Sequence, residues 1–193
     1  MKHIYFSSMV LFLLFFVSCN EHGNKKIGSD TVDTDSVTNS KQTELIKNYY
    51  IWYNDHMAEI NPFNLVKNSP NNGDTTLTYA VNFTGTEQWL NKFQSSGMVS
   101  ENFIAHWRSY FKECEEGFQV EKAWDGPPAG FDYDLIYNSQ EENPSNEELS
   151  QAKFVRSQPE GNQFLVTVAI PGFYDSLRTH VEQSPDGQWK VAR

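Results

Sequence analysis

The chain has 193 residues, with 25 acidic and 15 basic side chains and a formal net charge of −10. Such an acidic surface disfavours binding to nucleic acid and to anionic lipid head groups, and it favours basic partners. The length is that expected of one folded domain with an attached segment.

The N-terminal residues 1–18 have the marks of a secretory signal. A charged start at Lys2 is followed by an apolar run from Met9 to Val17, and the small residue Ser18 precedes the polar part of the chain. The apolar run is too short to cross a bilayer as a helix, which needs about 20 residues. We therefore predict a cleaved signal peptide.

The stretch Phe16-Val17-Ser18-Cys19 resembles the bacterial lipobox, in which the Cys becomes the acylated first residue of the mature protein. Lipoboxes mostly have Leu where this chain has Phe16. The resemblance implies a lipid on Cys19 that tethers the protein to a membrane. In Gram-negative lipoproteins an Asp directly after the Cys marks retention at the inner membrane, and here that residue is Asn20. The resemblance therefore implies an outer-membrane lipoprotein that faces the periplasm or the outside. The alternative is a buried Cys19 in a core helix, but no helical pattern continues past Asn20.

Residues 19–40 contain too few apolar side chains to form a core, and they predict a flexible tether. The folded domain is then expected at 41–193. Its only Cys is Cys114, which has no disulfide partner once Cys19 carries lipid, so the core alone must stabilise the domain.

Three helices are predicted in the first half of this domain. Apolar residues at three- and four-residue spacing predict the first, which should end at Asn61-Pro62. After a short strand over 77–83, a capping box at 84–87 predicts the start of the second helix, with Gly97 as its stop. The third helix is expected between Ser100 and Gly117. The stripe of the first helix comprises Leu45, Ile46, Tyr49, Tyr50, Tyr53, Met57 and Ile60.

Alternating apolar residues predict strands in the second half of the chain. The segment 140–150 is acidic and is expected to be an exposed loop, and Ser184-Pro-Asp-Gly187 is a turn before the last strand. Helices followed by an antiparallel meander give an α+β domain, with N-terminal helices packed on a sheet of about four strands. The predicted strands are 131–137, 164–170, 177–181 and 189–191, to which 152–156 could add another.

Three stretches carry a resemblance to a known family: YYIWYN in the first helix, FDYDLIYNSQ before the sheet, and SPDGQWKV in the last hairpin. Over residues 41–193 the chain resembles an uncharacterised domain of Gram-negative exported lipoproteins with the cone-shaped fold of nuclear transport factor two and ketosteroid isomerase. The resemblance implies a curved sheet around an aromatic-lined concavity, and a homodimer formed through the sheets. It implies no reaction, because the family has no established activity. Where an Asp commonly follows Gln140, this chain has Glu141.

Asp132 and Asp134 are the first candidates for chemistry, because residues two apart on a strand share one face. They could form an acid–base pair or a site for a hard cation. Alternatively they belong to a solvated strand face, or one carboxylate fixes a corner of the fold by hydrogen bonds. Two Asp residues do not specify a Ca²⁺ site, which needs six to eight oxygens. The histidines show no close ligand spacing, and we expect neither a metal nor a cofactor.

Aromatic residues make up 15% of the chain. Most belong to helix or strand faces, but Trp52 lies off the stripe of its helix. Trp124 lies in a loop rich in Pro and Gly, where it could anchor a partner or cover an exposed end of the core.

Two classes of function follow. The leading hypothesis is a non-catalytic module that binds a small apolar ligand in the cone, or an inhibitor or immunity-type protein that captures a basic envelope protein. The alternative is an isomerase-like enzyme with Asp132 or Asp134 as general base and Tyr53 or Tyr133 as donor to an oxyanion. The candidate binding residues are Trp52, Tyr53, Trp124, Asp132, Tyr133, Asp134 and Gln140.

Overall fold

The computed structural model describes residues 34–67, 78–122, 126–173 and 176–193. Its first helix, α1 (Thr34–Ile60), has 27 residues and ends before Asn61 and Pro62, as predicted. The helix begins within the predicted tether, since residues 34–40 are already helical. A polar segment can extend a helix at little cost once later turns are anchored, because each added residue gains a backbone hydrogen bond. The predicted signal peptide and Cys19 lie outside the described residues.

A two-stranded antiparallel sheet follows, formed by β1 (Val66–Lys67) and β2 (Ala80–Val81). The strand predicted over 77–83 is therefore shorter than expected where it is described. Helix α2 (Phe83–Ser95) begins directly after it, so the capping box predicted at 84–87 is wrong. The N-cap residue is Asn82, whose side-chain amide instead donates to the Asn64 carbonyl oxygen at 2.7 Å.

Helix α3 (Glu101–Glu121) starts where the sequence predicts, because the Ser100 hydroxyl caps it by accepting a hydrogen bond from the Phe103 amide. Gly97 has φ +70°, which confirms it as the residue that stops α2. The predicted end of α3 at Gly117 is wrong. The helix runs one turn further and stops at Lys122, which adopts the left-handed conformation.

The main sheet contains four antiparallel strands in chain order, which confirms the α+β prediction. The strand order is β3-β4-β5-β6, so consecutive strands are neighbours throughout. The predicted turn before the last strand is present, with Gly187 at φ +82° and a hydrogen bond from its amide to the Ser184 carbonyl oxygen. The strands are β3 (Lys153–Glu160), β4 (Gln163–Ala169), β5 (Ser176–Gln183) and β6 (Trp189–Val191).

Two predictions between α3 and β3 are wrong. Residues 131–137 form a bend followed by a turn over 135–138 rather than a strand, with a single bridge between Asp134 and Ser139. The predicted loop at 140–150 contains a short helix, α4 (Asn146–Ser150), whose Leu149 is fully buried. A reciprocal capping box between Ser145 and Glu148 starts this helix.

The core is aromatic on the helical side and aliphatic on the sheet. Helix α1 packs on α4 and on strands β3, β4 and β6, while α2 packs on α3. Phe93 of α2 contacts rings from both other long helices, namely Tyr49 and Tyr53 of α1 and Phe103 of α3. The sheet contributes the buried side chains Val166, Val168, Val181 and Val191, and Ile170 follows β4 directly. Within the described residues, no helix combines the length and the apolar character needed to cross a bilayer.

Candidate functional site

Asp134 is the centre of the turn segment 131–139. Its Oδ1 accepts hydrogen bonds from the amides of Ile136 and Tyr137, each at 2.9 Å. Its Oδ2 accepts from the Tyr53 hydroxyl at 3.0 Å and from the Asn143 amide group at 2.9 Å. An ionised carboxylate offers about four acceptor positions, and here four donors use them. Asp134 therefore connects its own turn to α1 and to the segment before α4, which is the corner-fixing alternative weighed from the sequence.

The tyrosines considered as oxyanion donors are already engaged. Burial, followed by the charge of Asp134, raises the pKa of Tyr53, whose proton is directed at that carboxylate. The Tyr110 hydroxyl donates to the Gly130 carbonyl oxygen at 2.6 Å and lies 2.9 Å from the Tyr133 hydroxyl. Since Tyr110 has one proton, Tyr133 is the donor of that second bond. In this arrangement neither Tyr53 nor Tyr133 has a free proton for an oxyanion.

The structure brings only part of the predicted set together. Tyr53, Tyr133 and Asp134 line one cavity of about 290 Å³ between α1 and the turn segment. Asp132 is exposed, and its Oδ2 accepts a hydrogen bond from the Gln140 side chain at 3.3 Å, so this pair lies at the surface.

The two candidate tryptophans have different outcomes. Trp52 is half-buried, stacks on His56 with ring centroids 4.7 Å apart, and meets Phe93 edge to face at 5.4 Å. It therefore belongs to the packing between α1 and α2. Trp124 lies outside the described residues.

Cys114 is free and packs against the core, as its place on the apolar side of α3 predicts. Burial raises the pKa of its thiol. A thiol with a raised pKa is a poor nucleophile, because the thiolate is the reactive form.

A second hollow, which we call the basic cleft, lies between α3, residues 178–180 of β5 and residues 133–138 of the turn segment. It has a volume of about 290 Å³, and aromatic side chains of α1 and α3 form its walls. Its lining includes two imidazole and two guanidinium side chains that could meet a ligand: His106, His180, Arg178 and Arg193. No Asp or Glu among the described residues lines it.

The charged groups of the basic cleft are close to one another. Nε2 of His180 lies 2.9 Å from Oε2 of Glu160 and 2.8 Å from Nη2 of Arg193. Burial lowers the pKa of His106, and the nearby charge of Arg193 lowers it further. His106 is therefore uncharged at neutral pH. The permanent positive charges of the cleft are Arg178 and Arg193, and neither forms an ion pair with a carboxylate of the described residues.

The sequence does not identify the basic cleft. The sequence pattern of β5 does indicate that Arg178 and His180 share one face of the strand, because alternation places them opposite Thr179 and Val181. Their approach to His106 of α3 is decided by the tertiary structure, which brings these residues to one hollow.

A third hollow, which we call the acidic groove, lies between residues 137–144 and the region where β4 ends and β5 begins. Its volume is about 520 Å³, and Tyr137, Ile170, Phe173 and Leu177 supply much of its apolar lining. Two carboxylates, Glu141 and Glu142, also line it, and both residues are exposed.

Among the described residues, no group of three or more His, Cys, Asp or Glu side chains is arranged to hold a metal ion. No family model matches the chain, and no curated protein or solved structure is significantly similar to it.

Proposed function

We propose that this protein is a non-catalytic binding module whose ligand site is the basic cleft. The observation that carries the proposal is the composition of that cleft, in which Arg178 and Arg193 accompany aromatic walls from α1 and α3. Ligand pockets are typically apolar hollows of about 300–1,000 Å³ with a few placed polar groups. The basic cleft, at about 290 Å³, is close to the lower end of that range and suits a small ligand.

Native mass spectrometry of the full chain, purified from its own envelope without denaturant, tests this site. We expect a retained small molecule, and we expect Ile136→Trp, which fills the cleft, to lose it. The matched control is Val155→Trp on the exposed side of β3, which adds the same bulk outside the cleft and should keep the molecule. Equal retention by both variants would contradict the assignment of the site.

The proposal includes attachment to the outer membrane through a lipid on Cys19, supported by the lipobox resemblance. Cells grown with labelled palmitate should incorporate label into the wild-type chain. The variant Cys19→Ser should incorporate none and should leave the membrane fraction. Unchanged labelling of the variant would contradict lipidation at this residue.

The proposal also includes the cone-shaped form of the α+β fold. Its support is that α1 packs on the sheet while hollows remain between the helices, the turn segment and β5. An experimental structure with a flat sheet and no concavity would contradict it.

A second candidate function is capture of a basic envelope protein, of the inhibitor or immunity type. It is favoured by the acidic groove, where Glu141 and Glu142 accompany apolar side chains, and by the net charge of −10. Pull-down from an envelope extract should retain a basic protein that Glu141→Gln/Glu142→Gln no longer retains and that high salt releases. If the double variant retains the protein as well as wild type does, and high salt does not release it, this candidate is contradicted.

A further inference from the structure

We infer that the ligand of the basic cleft is an organic anion, with a carboxylate that meets Arg178 and Arg193 and an apolar or aromatic body that contacts the walls. The inference rests on the proposed function and adds the charge and chemical class of the ligand. It requires that the cleft select a negative group although the chain as a whole is acidic.

The first argument is the sign of the charges that line the cleft. The whole chain has 25 acidic and 15 basic side chains, so a cluster taken at random would be acidic more often than basic. The described lining instead contains Arg178, Arg193 and two imidazoles, without any Asp or Glu. A guanidinium presents a planar fork of donors that matches a carboxylate, so two of them beside one hollow favour that group.

The second argument comes from Glu160, a carboxylate of the chain itself that lies next to the cluster without lining the cleft. The hydrogen bond from His180 is the largest effect on the pKa of Glu160 and lowers it. Burial, the second-largest effect, opposes this change, and the charges of His180, Arg193 and Arg178 each lower the pKa by less. This cluster therefore stabilises the ionised form of a neighbouring carboxylate. A ligand carboxylate on the cleft side would experience the same charges.

The third argument concerns the rest of the ligand. Tyr49, Phe103 and Trp107 line the cleft as aromatic surface, and the Tyr50 hydroxyl is occupied by the Thr179 hydroxyl at 3.3 Å. His106 is uncharged at neutral pH, because burial and Arg193 lower its pKa more than Glu113 raises it. These walls offer contacts to an apolar or aromatic body and little to a second charge.

Isothermal titration of the full chain with three probes of one shape tests the inference. The probes are 2-naphthoate, the neutral 2-naphthalenemethanol and the cationic 2-naphthylmethylammonium. We expect 2-naphthoate to bind about tenfold more tightly than the alcohol, equivalent to about 1.4 kcal/mol, and the ammonium probe to bind most weakly. The indole ¹H–¹⁵N signal of Trp107 should shift on binding, while that of Trp52, which does not line the cleft, should not.

Variants then separate the charge from the shape of the site. Arg193→Gln should weaken the binding of 2-naphthoate about tenfold and leave the affinity for the alcohol unchanged. Arg193→Lys should restore part of the lost affinity for 2-naphthoate. The matched control is Arg156→Gln, an exposed arginine of β3 outside the cleft, which should change neither.

Equal affinity for naphthoate and the alcohol, or tighter binding of the ammonium probe, would overturn the anion inference and leave the cleft as a binding site. If no probe binds and the Trp107 signal stays fixed, the inference and the proposed site both fail.

Discussion

A single carboxylate can organise a segment whose backbone forms only one β-bridge, that between Asp134 and Ser139. Asp134 accepts four hydrogen bonds, two from the amides of its own turn and two from side chains on other parts of the fold. Short polar side chains compete in this way with regular backbone pairing. That competition explains why the alternating residues 131–137 form turns instead of the predicted strand.

Asp134→Ala should lower the free energy of unfolding by about 3 kcal/mol, since it removes hydrogen bonds to a charged acceptor and leaves their donors unpaired. The measurement is the midpoint of urea unfolding at an unchanged slope. Asp132→Ala is the matched control two residues away, and its effect should stay within about 0.5 kcal/mol because Asp132 is exposed. Equal losses in the two variants would show that Asp134 does not hold the segment.

At the scale of elements, the two glycines inside helices have opposite roles. Gly85 lies in the first turn of α2, and a Cβ there would come within 2.0 Å of the Asn64 carbonyl oxygen. The backbone before β1 can approach α2 only because that side chain is absent. Gly117 lies inside α3 with nothing within 4 Å of its Cβ position. Its place in the chain predicts a helix end, but the helix continues to Glu121.

Alanine at these two positions should therefore change stability in opposite directions. Gly117→Ala should raise the free energy of unfolding by about 0.5–1 kcal/mol through helix propensity, and the melting temperature by about 2–4 °C. Gly85→Ala should lower that free energy by about 1–3 kcal/mol, because the backbone must move to accept the methyl group. Thermal unfolding followed by circular dichroism measures both. A stabilised Gly85→Ala variant would contradict the close contact with Asn64.

At the scale of the whole molecule, ion pairs on the surface connect the helices that pack around the aromatic and aliphatic core. Arg108 of α3 forms two hydrogen bonds to the Glu87 carboxylate of α2, at 2.8 and 2.7 Å. Hydrogen bonds lower the pKa of several exposed carboxyl groups in this way. They are Glu59, Glu87, Glu148, Glu160 and Asp186.

These shifts predict loss of stability in acid. A carboxyl group whose pKa is lower in the folded state stabilises the fold above its ordinary pKa, and the contribution disappears as pH falls through the folded-state value. Glu87→Gln should thus be less stable than wild type at pH 7, by about 0.5 kcal/mol for an exposed pair, and the difference should be smaller at pH 3 because the pKa of Glu87 is lowered. Urea unfolding at both pH values measures this difference. The control Glu142→Gln, at an exposed residue outside the helices, should match wild type at both pH values. A Glu87→Gln deficit as large at pH 3 as at pH 7 would contradict the charge-based account.

The sequence by itself determined the α+β class, the three long helices and strands β4 to β6, because periodicity and turn residues act over short distances along the chain. It also indicated Asp134 as a candidate either for chemistry or for fixing a corner of the fold by hydrogen bonds. Only the tertiary structure decided the details that depend on contacts between distant segments: the turns at 131–137, the α4 helix and the continuation of α3 past Gly117. The basic cleft belongs to this second group. His106, Arg178 and Arg193 come from distant parts of the chain, and they line one hollow only in the folded structure.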